Sequence, residues 1–135
     1  MTGILADYNL EGHVRALVAR MNQPPWQEFW ISLGLGAFTL ADVGLVPTAP
    51  DADLWRECQA RKLILITANR NHDAPDSLDA TISAENRPDS LPVMTVADPL
   101  ALRNSRDYAE RVIERLLEYL LNIDQVRGTG RLYIP

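Results

Sequence analysis

Three acidic or amide-rich points in this chain carry the residue types that metal chemistry needs. Asp7 ends a short apolar run, Gly3 to Ala6. Asp51 and Asp53 stand at the start of a helical stretch carrying Leu54, Trp55 and Cys58. Asn69, Asn71 and Asp73 lie in the polar segment after Leu63-Ile64-Leu65-Ile66, with Thr67 at its start. Oxygen ligands brought together from separate strand ends suit a hard divalent cation. A pair of such cations activates water and stabilises the leaving oxygen in phosphodiester cleavage. Each residue also has a plainer use. Asp7 and Asp51 can cap helices, because a carboxylate accepts from the exposed N–H groups there. Asn69 and Asn71 can be turn residues that tolerate left-handed backbone.

The elements that must position these side chains follow from hydrophobic period. Gly3 to Ala6 reads as a first strand, after which Asn9 can cap a helix with Val14, Leu17, Val18 and Met21 on one face. Pro24-Pro25 separates it from a second helix carrying Trp26, Phe29, Trp30 and Leu33, which Gly34 and Gly36 stop. The stretch 38–43 is expected to be a short strand. Pro50 or Asp51 opens a third helix. Leu63 to Ile66 is apolar without alternation, as in a strand buried on both faces and therefore central and parallel. Ser77 to Ala84 is expected as a short helix, and Val93 to Val96 as a further strand. Asn104 or Ser105 caps the clearest helix, where Ala109, Val112, Ile113, Leu116, Leu117 and Leu120 form one stripe. Residues 125–135 read as a C-terminal extension, with a Gly128-Thr129-Gly130 turn before Leu132-Tyr133-Ile134. Strands alternating with helices predict an α/β fold: a three-layer α/β/α sandwich around a central, mainly parallel sheet. The strands at 4–6, 63–66 and 93–96 are expected to be neighbours. Ligands of such sheets bind at the carboxyl ends of the strands, where Asp7 and 67–73 would converge.

Composition narrows the options. A chain of 135 residues with 47% hydrophobic content is expected to be one domain that builds its core without staples. Cys58 is the only cysteine, so no internal disulfide forms, and with His13 and His72 as the only histidines no zinc spacing arises. Cys58 is expected to pack in the core, and His13 to lie at the surface. The formal net charge of −5 argues against a protein that coats nucleic acid through a general positive field. All but Lys62 of the thirteen basic residues are arginine, the better fork for phosphate or carboxylate. No apolar run is long enough to span a bilayer. Met1 to Asp7 lacks the basic and apolar regions of a secretory signal, so a cytoplasmic location is the expectation.

The order of the motifs resembles a known family. Gly3-Ile-Leu-Ala-Asp7-Tyr-Asn9-Leu is similar to the opening of short prokaryotic PIN-like domains, where a strand runs into Asp-x-Asn-Leu. Leu40-Ala-Asp42-Val-Gly44-Leu45 resembles that family's second strand and Gly-Leu turn, and Asp51-Ala-Asp53-Leu54 its acidic helix start. Leu65-Ile66-Thr67-Ala68-Asn69-Arg70-Asn71 resembles its Leu-Val-Thr-x-Asp-x-Asp loop. The resemblance spans 1–73; beyond it only the architecture agrees.

The resemblance implies a Mg²⁺- or Mn²⁺-dependent endoribonuclease of the toxin–antitoxin type. Asp7, Asp51 and Asn69 would be its metal ligands. Asp7, Asp51, Asp53 and Asn69 would be the catalytic set, and Asn9, Thr67, Arg70 and Asn71 would contact RNA. Thr67 would orient an acid through its hydroxyl. Asn69 and Asn71 stand where the family commonly has acids, and His72 where it has an aromatic. The family's helical glutamate has only Glu11 or Glu28 as possible counterparts. Two neutral residues in place of carboxylates weaken cation binding. The resemblance therefore also admits a catalytically inactive module that binds RNA or protein. It implies RNA, a small antitoxin-like protein and a second copy of the chain as partners, and no membrane. Trp26, Phe29 and Trp30 are expected to supply the apolar surface of a homodimer, and Leu132-Tyr133-Ile134 to offer a strand to a neighbour. A phosphoacceptor receiver domain, which also starts strand-to-aspartate, does not fit, because Thr67 ends the middle strand and no lysine follows Lys62.

Overall fold

In the computed structural model, residues 1–70 and 77–135 are described. Asn71, His72 and Asp73 lie outside the described residues. Five strands form one parallel sheet: β1 (Gly3–Ala6), β2 (Gly36–Phe38), β3 (Leu63–Thr67), β4 (Val93–Thr95) and β5 (Arg131–Tyr133). Their order is β2-β1-β3-β4-β5. The three strands expected to be neighbours are so, with β3 between β1 and β4.

The period of two along each strand explains the layers. Ile4 and Ala6, Ile64 and Ile66, and Met94 face one core. That core is closed by α1 (Glu11–Met21) and α6 (Arg106–Leu121), through Val14, Leu17 and Met21 from one and the full expected stripe from the other. Leu5, Leu63, Leu65 and Val93 face a second core, closed by α3 (Asp51–Arg61) through Leu54, Trp55 and Cys58 and by α4 (Leu78–Glu85) through Leu78. The result is the three-layer sandwich. Ser105 is the cap of α6, accepting from the Tyr108 N–H at 3.2 Å. No helix among the described residues is long and apolar enough to cross a membrane.

Several local expectations are corrected. The strand expected at 38–43 ends at Phe38, and 41–43 is a 3-10 turn. The Asp42 carboxylate accepts from the Thr39 N–H at 2.9 Å, and Gly44 takes φ +77°. Those bonds replace a ladder, so the segment likened to a second strand is a turn. The second helix, α2 (Gln27–Leu33), starts after Trp26 and stops at Gly34, φ +63°. Two short helices were missed: α5 (Pro99–Asn104), capped by Asp98, and α7 (Ile123–Val126). Residues 131–133, inside the expected C-terminal extension, are the sheet's edge strand β5, paired in parallel with β4, and Ile134 beyond it is fully buried. Trp30 is also core and Trp26 packs against it, which leaves Phe29 and Ile31 as the exposed apolar residues of α2.

The β1–β2 contact is close because glycine faces glycine, Gly3 opposite Gly36. A Cβ built on Gly3 would overlap the Gly36 carbonyl oxygen and reach within 2.8 Å of the Phe38 ring. Backbone cannot yield as a side-chain tip can. Gly3→Ala is expected to prise β2 from the sheet edge and lower stability by about 2 kcal/mol in urea denaturation. Unchanged stability would mean β2 is not held in this register.

Candidate functional site

The chain crosses from strand to helix at two adjacent carboxyl ends, β1 and β3, and the candidate site forms there. Asp7 follows β1, and its N–H donates to the Ile66 carbonyl at 2.9 Å. Its Oδ1 accepts from the Tyr8 N–H at 2.8 Å and starts the 3-10 turn Tyr8–Leu10 that feeds α1. Capping is therefore one of its functions, and it displaces the expected cap at Asn9. Its other oxygen, Oδ2, accepts from the Thr67 hydroxyl at 2.7 Å. Thr67 is fully buried and also takes the Asn69 N–H on the same Oγ1, at 3.0 Å. The expected orienting contact is present, and one hydroxyl ties Asp7 to the backbone of the loop residue.

Asp51 occupies the first turn of α3, whose cap position belongs to Pro50 without a side-chain bond. Its Oδ2 accepts from the Asn69 amide Nδ2 at 2.9 Å. Asp7, Asp51 and Asn69 line one cleft of about 530 Å³, with Asn9 and Tyr8 at one side and Leu40 and Pro99 among its walls. The structure brings together the three residues expected as ligands.

The remaining expectations divide. Asn9 is exposed and lines the cleft. Asp53 points away from it, 58% exposed, with Arg56 at 3.9 Å. Two residues apart on a helix, Asp51 and Asp53 cannot share a face. Arg70 is exposed. Glu28 is exposed and outside the cleft, and Glu11 lines a separate recess with Arg15 and Phe38. Asn71 falls outside the described residues. Cys58 is buried, and burial first, then the Asp7 carboxylate, pushes its thiol up to about 12. It stays neutral and packs as a small hydrophobe.

Arg131 was missed. From β5 it donates through Nη1 to the Asn69 carbonyl at 2.8 Å and to the Thr95 hydroxyl at 2.7 Å. Nε and Nη2 hold Asp79 Oδ1. A nearly buried guanidinium from the end of the chain thus fixes the backbone of the site loop. A lone arginine beside an otherwise apolar run was the only signal for it.

The donor set is two carboxylates plus one amide. Among the described residues no three His, Cys, Asp or Glu side chains gather as a metal group. Two carboxylates with water in the remaining positions are nonetheless a normal shell for Mg²⁺. Each site carboxylate keeps acceptor capacity beyond the bond it makes here, so the residues fit one hard cation. Comparison of the chain with family models, with curated proteins and with solved structures returns no match.

Proposed function

We propose that this chain is a PIN-like, single-cation endoribonuclease of low activity. The observation that carries the reading is the meeting of Asp7, Asp51 and Asn69 in one cleft at the carboxyl ends of β1 and β3. Asp7 and Asp51 supply negative charge and oxygen donors, and Thr67 holds Asp7 in one orientation. When bound, Mg²⁺ or Mn²⁺ supplies Lewis acidity to a phosphodiester and its attacking water. The Asn69 amide donates to Asp51 and lowers the charge available to a cation, which supports weak binding of one ion, not a tight pair. The same reading takes in a cytoplasmic toxin–antitoxin role, a small antitoxin-like partner, and a homodimer through the apolar Phe29 and Ile31 surface of α2.

A second reading is favoured by one contact. The Asn69 amide already occupies one oxygen of Asp51 from within the chain, which supports a PIN-like module that binds RNA or protein without cutting it. Incubating the purified chain with RNA in Mn²⁺ and in EDTA separates the two. Slow cleavage that EDTA stops is the expected result. Mn²⁺ binding without cleavage leaves the module, and no Mn²⁺ binding in a calorimeter removes the cation site altogether.

A further inference from the structure

We infer that Arg131 is a positioning residue for the cation cleft, holding Asn69 in place as the third donor beside Asp7 and Asp51. The inference rests on the cation-binding reading and adds the edge strand of the sheet to it. Arg131 begins β5 opposite Val93. Val93 faces the core closed by α3 and α4, as Leu65 does on β3. By strand alternation Thr95 and Thr67 share that face. They pair across β3 and β4, and both are fully buried. The Arg131 side chain runs two residues along the sheet, about 7 Å, to reach the level of Thr95. There its fork meets three separate acceptors. Nη1 donates to the Asn69 carbonyl at 2.8 Å and to the Thr95 hydroxyl at 2.7 Å. Nε donates to Asp79 Oδ1 at 3.1 Å, with Nη2 on the same oxygen.

Those bonds complete the hold on Asn69. Its N–H is on Thr67 Oγ1 at 3.0 Å and its Nδ2 on Asp51 Oδ2 at 2.9 Å. With the carbonyl released, the peptide after Asn69 can rotate and carry the amide off Asp51. Anchoring β5 is the plainer use for such an arginine, but it does not account for these contacts. β5 is already held by its ladder to β4, by the Ile134 N–H on the Thr95 carbonyl at 2.9 Å, and by the burial of Ile134. Two of the three partners of Arg131, Asn69 and Asp79, lie on neither strand. Asp79 also balances the charge of the guanidinium, so a cationic side chain can support a site that must itself take a cation. Charge and position predict opposite signs. Were Arg131 only a field, removing it would strengthen Mn²⁺ binding. Removing the support of a ligand weakens it.

The test uses the full chain with Arg131→Met, and with Arg131→Lys, which keeps the charge and a donor for Thr95 but loses the fork. Calorimetric titration of Mn²⁺ should show binding about tenfold weaker in Arg131→Met, with a smaller loss in Arg131→Lys. In an Asn69→Ala background Arg131→Lys should have no further effect, because it acts through that side chain. Hydrogen exchange in EDTA reads the same hold without metal. The Asn69 N–H should exchange about tenfold faster in Arg131→Lys, with the Ile134 N–H unchanged. Wild-type Mn²⁺ affinity in Arg131→Lys, or tighter binding in Arg131→Met, would overturn the proposal. So would equal acceleration at Ile134 and Asn69, which would make Arg131 an anchor for β5. Asp7→Asn separates this from the cation reading. Unchanged Mn²⁺ binding in Asp7→Asn sinks that reading and this inference with it. Loss of binding in Asp7→Asn with wild-type affinity in Arg131→Lys sinks this inference alone.

Discussion

Ile66→Ala should cost the fold about 4 kcal/mol, because it removes three carbons from the best-enclosed point of the sheet. Ile66 is fully buried on β3, with β1 and β4 on either side, and it belongs to the core closed by α1 and α6. Neighbouring strands cannot move inward to fill the gap without breaking their ladders, so the cavity persists. For a domain of this length the loss corresponds to a melting temperature about 15 °C lower. The effect should reach the site as well, since the Ile66 carbonyl accepts the Asp7 N–H and Thr67 is the next residue. Mn²⁺ affinity is therefore expected to fall with stability. Val46→Ala, at a position 60% exposed, is the control and should change stability by less than about 0.5 kcal/mol. Urea denaturation reads both, and an Ile66→Ala loss under about 1 kcal/mol would mean that β3 is not the centre of this core.

That centre was legible in the sequence. Leu63 to Ile66 has no polar residue to place on a solvent face, so both faces had to be covered, and they are. The α6 stripe and its Ser105 cap were legible for the same local reason. What failed were segments where a side chain replaces backbone bonding. Asp42 closes a turn on Thr39, which leaves no trace in hydrophobic period; that Asp7 could cap was legible, and what failed there was the cap expected at Asn9. Asp51 and Asp53 could have been separated from spacing alone. Arg131 could not, because its contact with Asn69 bridges 62 residues. In the site itself Asp7 was found at a strand end and Asp51 at a helix start, where topology fixes what faces the cleft. The support came from elements far away along the chain.

Asn69→Asp should have opposite effects with and without a cation, and that reversal is the sharpest test of the cleft. In EDTA the substitution turns the donor 2.9 Å from Asp51 into a second acceptor and sets two carboxylates against each other. Like charges at that range raise the pKa of one of them. With a folded pKa raised above the unfolded value, the pair is tolerated at low pH, and the stability it then has is lost as pH rises through the folded value. The variant should therefore be about 2 kcal/mol less stable than wild type at neutral pH, with the gap closing as pH falls toward about 4. In Mn²⁺ the added formal charge acts the other way. Affinity should rise at least about tenfold and the melting temperature should exceed that of wild type under the same conditions. Asp7→Asn removes one of the two native carboxylates and should cost about 100-fold in Mn²⁺ affinity, abolishing any cleavage. Thr67→Val keeps the shape but frees Asp7 Oδ2 from its 2.7 Å hydrogen bond, and a lost orienting partner should cost about 10-fold or more. Calorimetric titration of Mn²⁺ ranks the four proteins directly: Asn69→Asp, wild type, Thr67→Val, Asp7→Asn. Equal affinities across that series would show that Asp7, Thr67 and Asn69 form a capping and loop-tethering network, and that the cleft holds no cation.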